Sequence, residues 1–132
     1  MSRDPAWLGA LAHAYLNEDL NVDIPLDDDD PRFIDENRYG SVISQIFKLA
    51  YDEPEECWSF IKIVCAMPLS EGDIGLLGAG TFEDLMDYHG DAFIERVEAE
   101  AKTSDQFRKV VRAAWTESMN EDVARRIEAL QV

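Results

Sequence analysis

The chain is expected to be all-α, a single-domain bundle or short superhelical stack of about six to eight amphipathic helices. Apolar residues recur at helical spacing over most of the chain, and N-cap and proline signatures punctuate them at short intervals. No segment shows the strict apolar and polar alternation of a half-buried strand.

The first helix starts from Asp4 as N-cap with Pro5 at the first helical position, where a missing N–H costs nothing. Trp7, Leu8, Leu11 and Tyr15 form its stripe, with His13 at the core edge. Beyond Asn17 the chain turns acidic and aperiodic through EDLNVDIPLDDDDP, an acidic loop over residues 19–30. Asp30-Pro31 repeats the cap-plus-proline start, and Tyr39, Val42, Ile43, Ile46, Phe47 and Ala50 follow at helical spacing. Pro54 opens the next helix, with Cys57, Trp58, Ile61, Val64 and Cys65 inward and Pro68 as its stop. The short turn between these two helices predicts an antiparallel pair.

Ser70 and Asp73 make a capping box for a short helix that ends near Gly78. A tight turn at the glycines then leads into a helix from Thr81 to His89, with Thr81 and Asp84 capping its first turn reciprocally. Asp91 caps a segment that buries Phe93, Ile94, Val97 and Ala101. Thr103 and Gln106 form a further box ahead of the stripe Phe107, Val110, Val111, Ala114 and Trp115. A last helix starts near Asn120 with Val123, Ile127 and Leu130 inward. Trp7, Trp58 and Trp115 each fall on an apolar stripe and are expected in the core.

A length of 132 residues suits one domain, and 46% hydrophobic with 30% charged residues suits a folded globular chain. No apolar run approaches the roughly 20 residues of a membrane span. The N-terminal stretch lacks the basic region and cleavage site of a signal peptide. Cys57 and Cys65 lie eight residues apart in one helical segment, a separation of about 12 Å that no disulfide bridges. They are expected to be small buried apolar residues in a reducing compartment, and the protein to be cytoplasmic.

The 28 acidic and 12 basic residues give a formal net charge of −16, so the surface potential at neutral pH is negative. Nucleic acid is a poor partner for such a surface, because phosphate neutralisation needs clustered Lys and Arg. A basic protein is electrostatically favoured.

The stretch LLGAGTFEDLMDYHGD, Leu76 to Asp91, poses the main chemical question. A phosphate loop needs free N–H groups at a helix start and a balancing cation. Here Glu83 and Asp84 stand at the positive end of the helix dipole, where they repel an anion. A divalent metal could be sought among Glu83, Asp84, Asp87, His89 and Asp91, but His89 lies six residues beyond Glu83 and projects from the other side of an ideal helix. The run Asp27 to Asp30 lacks the alternating ligands, glycine and closing glutamate of an EF-hand loop. No cofactor is called for.

The segments PEECWSFI, GAGTFEDLMDYHGDAFIERVEAEA and SDQFRKVVRAAW, between Pro54 and Trp115, resemble an uncharacterised family of small bacterial proteins, a domain of unknown function. Where that family usually shows Gly-Pro-Leu-Glu-Asp-Leu, this chain has Gly80, Thr81, Phe82, Glu83, Asp84 and Leu85. The resemblance implies an α-helical domain and supplies no activity or catalytic residue.

The leading functional expectation is a small cytoplasmic interaction protein, an immunity- or antitoxin-type inhibitor whose acidic face covers a basic patch on its partner. Asp27, Asp28, Asp29, Asp30, Glu83, Asp84, Asp87 and His89 are the candidate partner-binding residues. Two alternatives stand beside it. One is a metal-assisted hydrolase using Glu83, Asp84, Asp87 and His89. The other is a nucleic-acid mimic whose carboxylates imitate phosphates.

Overall fold

The computed structural model describes residues 5–17 and 38–132, which are mainly helical with no strand among them. The chain divides into two compact units, Met1–Ala66 and Met67–Val132. The runs at Asp27–Asp30 and Asp30-Pro31, and the Asp4 cap, lie outside the described residues, as do the side chains of Tyr39 and Val42.

In the first unit, α1 (Pro5–Asn17), α2 (Arg38–Asp52) and α3 (Pro54–Cys65) each pack on the other two. A single residue, Glu53, separates α2 from α3, its backbone taken out of the helical region at φ −133° and ψ 64°. Pro54 enforces that break, because it disfavours helical angles in the residue before it and fits the first helical position itself. Leu8, Leu11, Tyr15, Ile46, Leu49, Cys57, Trp58, Phe60, Ile61 and Val64 are buried. Tyr15 meets Phe60 edge-on at 5.8 Å between ring centroids, the arrangement the ring quadrupoles favour. Neither cysteine is in a disulfide; Cys57 is buried and Cys65 half-buried.

Two expectations about these helices need correction, and a third feature has no sequence signal. His13 is exposed rather than packed at the core edge. Ile43 and Phe47 are 41% and 48% exposed, because the buried face of α2 is carried by Gln45, Ile46, Leu49 and Ala50, one side of a wider apolar arc. Gln45 is buried with both amide atoms lacking a hydrogen-bond partner, an unfavourable burial that sequence periodicity gives no reason to expect.

The second unit is built on one long helical run. Ser70 accepts from the Asp73 N–H at 3.0 Å and Asp73 accepts from the Ser70 N–H at 3.0 Å, which is the capping box read from the sequence. From it α4 (Glu71–Leu77) passes directly into a π-helical segment, Gly78–Phe82, and on into α5 (Glu83–Thr103). Leu77, Gly78, Phe82 and Glu83 all keep right-handed helical angles, so the glycine-rich stretch is a widened turn inside a helix and not a link between two. Thr81 is buried within the run, and no side chain caps the start of α5. The break expected after His89 is present: His89 leaves the helical region at φ −136° and ψ 21°, so α5 is two helical stretches joined across a kink.

α6 (Asp105–Ala113) and α7 (Glu121–Leu130) pack on this run. The cap of α6 is Ser104, which accepts from the Phe107 N–H at 3.1 Å, one residue later than the predicted box. Thr103 instead donates its hydroxyl to the Glu100 carbonyl, and Gln106 donates to the Met67 carbonyl at 2.8 Å. Asn120 caps α7 as expected. Leu77, Phe82, Leu85, Phe93, Val97, Phe107, Val110, Val111 and Ile127 fill the core, with Phe82 and Phe107 edge-to-face at 5.7 Å.

Two glycines set how closely these helices approach. A Cβ on Gly78 would lie 2.3 Å from the Val110 carbonyl oxygen and 2.7 Å from the Ala113 Cβ; on Gly90 it would lie 2.8 Å from a Val123 methyl. Backbone cannot yield as a side chain can. Gly78→Ala is therefore expected to destabilise the fold by about 2–3 kcal/mol and Gly90→Ala by less. Gly75, with open space around it, should accept alanine with a gain of up to about 1 kcal/mol. Urea denaturation of the three variants checks this order.

Candidate functional site

Glu83, Asp84 and Asp87 are brought together at the start of α5, directly after the π segment. Glu83 and Asp87 are one helical turn apart and share a face. The Glu83 side chain also makes a long-range contact. Its Oε1 accepts the Trp115 N–H at 2.8 Å, across 32 residues of chain. That bond ties α5 to the connection between α6 and α7.

The other two carboxylates are held in an unfavourable setting. Burial, and then the negative charge of Glu83, raise the Asp84 carboxyl above its ordinary range. Asp87 is pushed up to about 6, first by burial and then by the charges of Glu83 and Asp84. Its Oδ1 is sealed from solvent with no hydrogen-bond partner. Among the described residues, no basic group enters into the causes of either shift. His89, two residues past Asp87 on the distorted turn, is half-buried and is not among the groups that set these proton affinities.

The opposite arrangement holds at the far end of α5. Arg126 of α7 donates from Nε to Glu98 Oε2 at 3.0 Å and from Nη2 to Glu98 Oε1, a two-pronged pair that lowers the Glu98 carboxyl. Among the described residues, no three His, Cys, Asp or Glu side chains come together in an arrangement that could hold a metal ion. The π-helical backbone also removes any phosphate cradle, since these residues lie inside a continuous helical run and the Glu83 N–H already donates to the Gly80 carbonyl.

Trp115 is the site residue that periodicity misplaces. α6 stops at Ala113, and Ala114 turns extended at φ −78° and ψ 145°, so the indole leaves the apolar stripe and is 66% exposed. No glycine or proline marks this stop. The helix ends because distant groups take over its hydrogen bonds: Gln131 Nε2 donates to the Val111 and Ala114 carbonyls, both at 2.9 Å, and Glu83 accepts from Trp115. Nothing local in the sequence signals those partners.

Fold and site together define a small acidic helical protein with a cluster of carboxylates beside an exposed tryptophan. The chain belongs to a family of unknown function, DUF6869, whose model matches residues 35–132 and so takes in the cluster and Trp115. No curated protein and no solved structure matches it. Among the described residues no helix is long and apolar enough to cross a membrane.

The Asp87 setting has a measurable consequence. The folded chain takes up this proton at about 6, whereas an unfolded aspartate does so at about pH 4. Between those values the folded state holds more protons than the unfolded one, so Asp87 makes stability fall as pH rises through the window. Asp87→Asn should therefore melt above the parent protein at about pH 8, with the difference shrinking towards about pH 4. Melting curves at the two pH values decide it; an asparagine variant no more stable than the parent at the higher pH refutes the assignment.

Proposed function

We propose that this protein is a cytoplasmic interaction module that covers a basic surface on a partner protein, in the manner of an immunity- or antitoxin-type inhibitor. The observation that carries this reading is the group Glu83, Asp84 and Asp87: burial and the neighbouring negative charges raise the Asp84 and Asp87 carboxyls, and among the described residues no basic group offsets them. A partner's Lys or Arg brought against this group relieves the repulsion and forms charge-assisted hydrogen bonds, so association gains what the free protein lacks. The overall charge of −16 adds long-range attraction that speeds encounter with a cationic surface.

Glu83 also explains why a binding role fits the geometry better than hydrolysis. One of its oxygens is already occupied by the Trp115 N–H, which makes it a fixed acceptor rather than a mobile base. Isosteric amides remove the charge and keep the shape.

The test compares the parent protein with the triple variant Glu83→Gln, Asp84→Asn, Asp87→Asn as bait in lysate of the native host at low salt. The parent should retain a basic protein in stoichiometric amount and release it at high salt, and the purified pair should bind about tenfold or more weakly once the charges are removed. Equal binding by the neutralised variant would sink this reading.

A further inference from the structure

Trp115 is the bulkiest of the exposed apolar side chains in Met67–Val132, which are Leu76, Tyr88, Trp115 and Val132. Folded chains ordinarily shelter an indole, because its large apolar surface is costly to leave in water. Here the backbone that carries it is held from both sides. The Trp115 N–H donates to Glu83 at 2.8 Å, the preceding Ala114 carbonyl accepts from Gln131 at 2.9 Å, and the following Thr116 hydroxyl donates to Glu128 at 3.3 Å. A ring displayed on a segment tied by three hydrogen bonds, two of them to its backbone, costs less backbone freedom when it is covered.

The charged groups placed beside it by contact or by sequence are mostly acidic, with exposed Arg112 three residues before it in the last turn of α6. Glu83 touches the Trp115 backbone, Asp84 and Asp87 adjoin Glu83, and Glu117 follows two residues later and is exposed. Arg108, Arg125 and Arg126 of the same unit are each paired with a carboxylate, on Asp105, Asp122 and Glu98 respectively. An exposed indole thus stands beside a carboxylate that holds its own backbone N–H.

We infer that Trp115 is the anchor of the docking surface for an arginine-bearing segment of the basic partner, an inference that rests on the function proposed above. Arginine fits this surface better than lysine. Its guanidinium is planar and weakly hydrated, so it stacks on the indole face while its N–H groups reach neighbouring carboxylates. Tryptophan is the residue type most suited to such an anchor, combining large contact area with low conformational cost.

The experiment measures binding of synthetic oligo-arginine, oligo-lysine and oligo-glutamate peptides to the full chain by calorimetry at low and high ionic strength. Trp115→Ala is the main variant and Trp115→Phe the conservative one, with circular dichroism and melting expected to match the parent because the ring is exposed. The parent should bind oligo-arginine more tightly than oligo-lysine, and Trp115→Ala should weaken the arginine peptide by about fivefold or more while Trp115→Phe restores part of the loss. Equal, salt-sensitive binding by parent and Trp115→Ala overturns the anchor and leaves the acidic docking reading in place. Absence of binding to either basic peptide at low ionic strength overturns both.

Discussion

The second unit depends on how closely the backbone of Gly78 approaches α6. A methyl group at that position would fall inside the van der Waals shell of the Val110 carbonyl oxygen, so the two helices can lie this near only where the side chain is a hydrogen. Gly78 opens the π-helical segment, and the widened turn sets the angular position of everything after it. Phe82 then meets Phe107 edge-on, and Glu83 reaches the Trp115 N–H. The aromatic contact and the long-range hydrogen bond are both consequences of this one approach.

The same geometry explains why the acids of α5 behave differently along its length. At Glu98 the helix lies beside Arg126, and the ion pair holds the carboxyl low. At its start it follows a glycine-rich segment with no basic side chain, packed under α6, where burial and mutual repulsion raise Asp84 and Asp87. A helix start is ordinarily a favourable place for acids, because free N–H groups face them. That benefit is missing at Glu83, since the π segment continues the helix upstream and occupies its N–H. The cluster therefore holds unfavourable electrostatic energy that a cationic partner can relieve, which is the physical core of the functional reading.

Much of the architecture was legible because helical periodicity and capping are local. The Pro54 start, the Ser70–Asp73 box, the Asn120 cap and the buried positions Phe93, Val97, Phe107, Val110, Val123 and Ile127 all follow from residues within a turn or two of one another. The Thr103 box misplaced the start of α6 by one residue, because adjacent Thr103 and Ser104 can both cap and the choice went to the one whose hydroxyl reaches the Phe107 N–H. For the candidate site, the proximity of Glu83, Asp84 and Asp87 was equally local, and helix geometry alone puts them together.

By itself, then, the sequence determined an all-α chain, its helix starts, most of its buried faces, its strong negative charge and the acid cluster of α5. Tertiary structure alone decided that GAGTF is π-helix and not a turn, that Thr81 is buried and not a cap, and that Trp115 is displayed and not packed. In each case the deciding contact spans tens of residues: Gly78 against Val110, Glu83 against Trp115, Gln131 against Val111 and Ala114. Periodicity and capping describe how a helix satisfies itself. Where a helix widens, stops or turns a side chain outward is set by which distant groups can satisfy its backbone in its place.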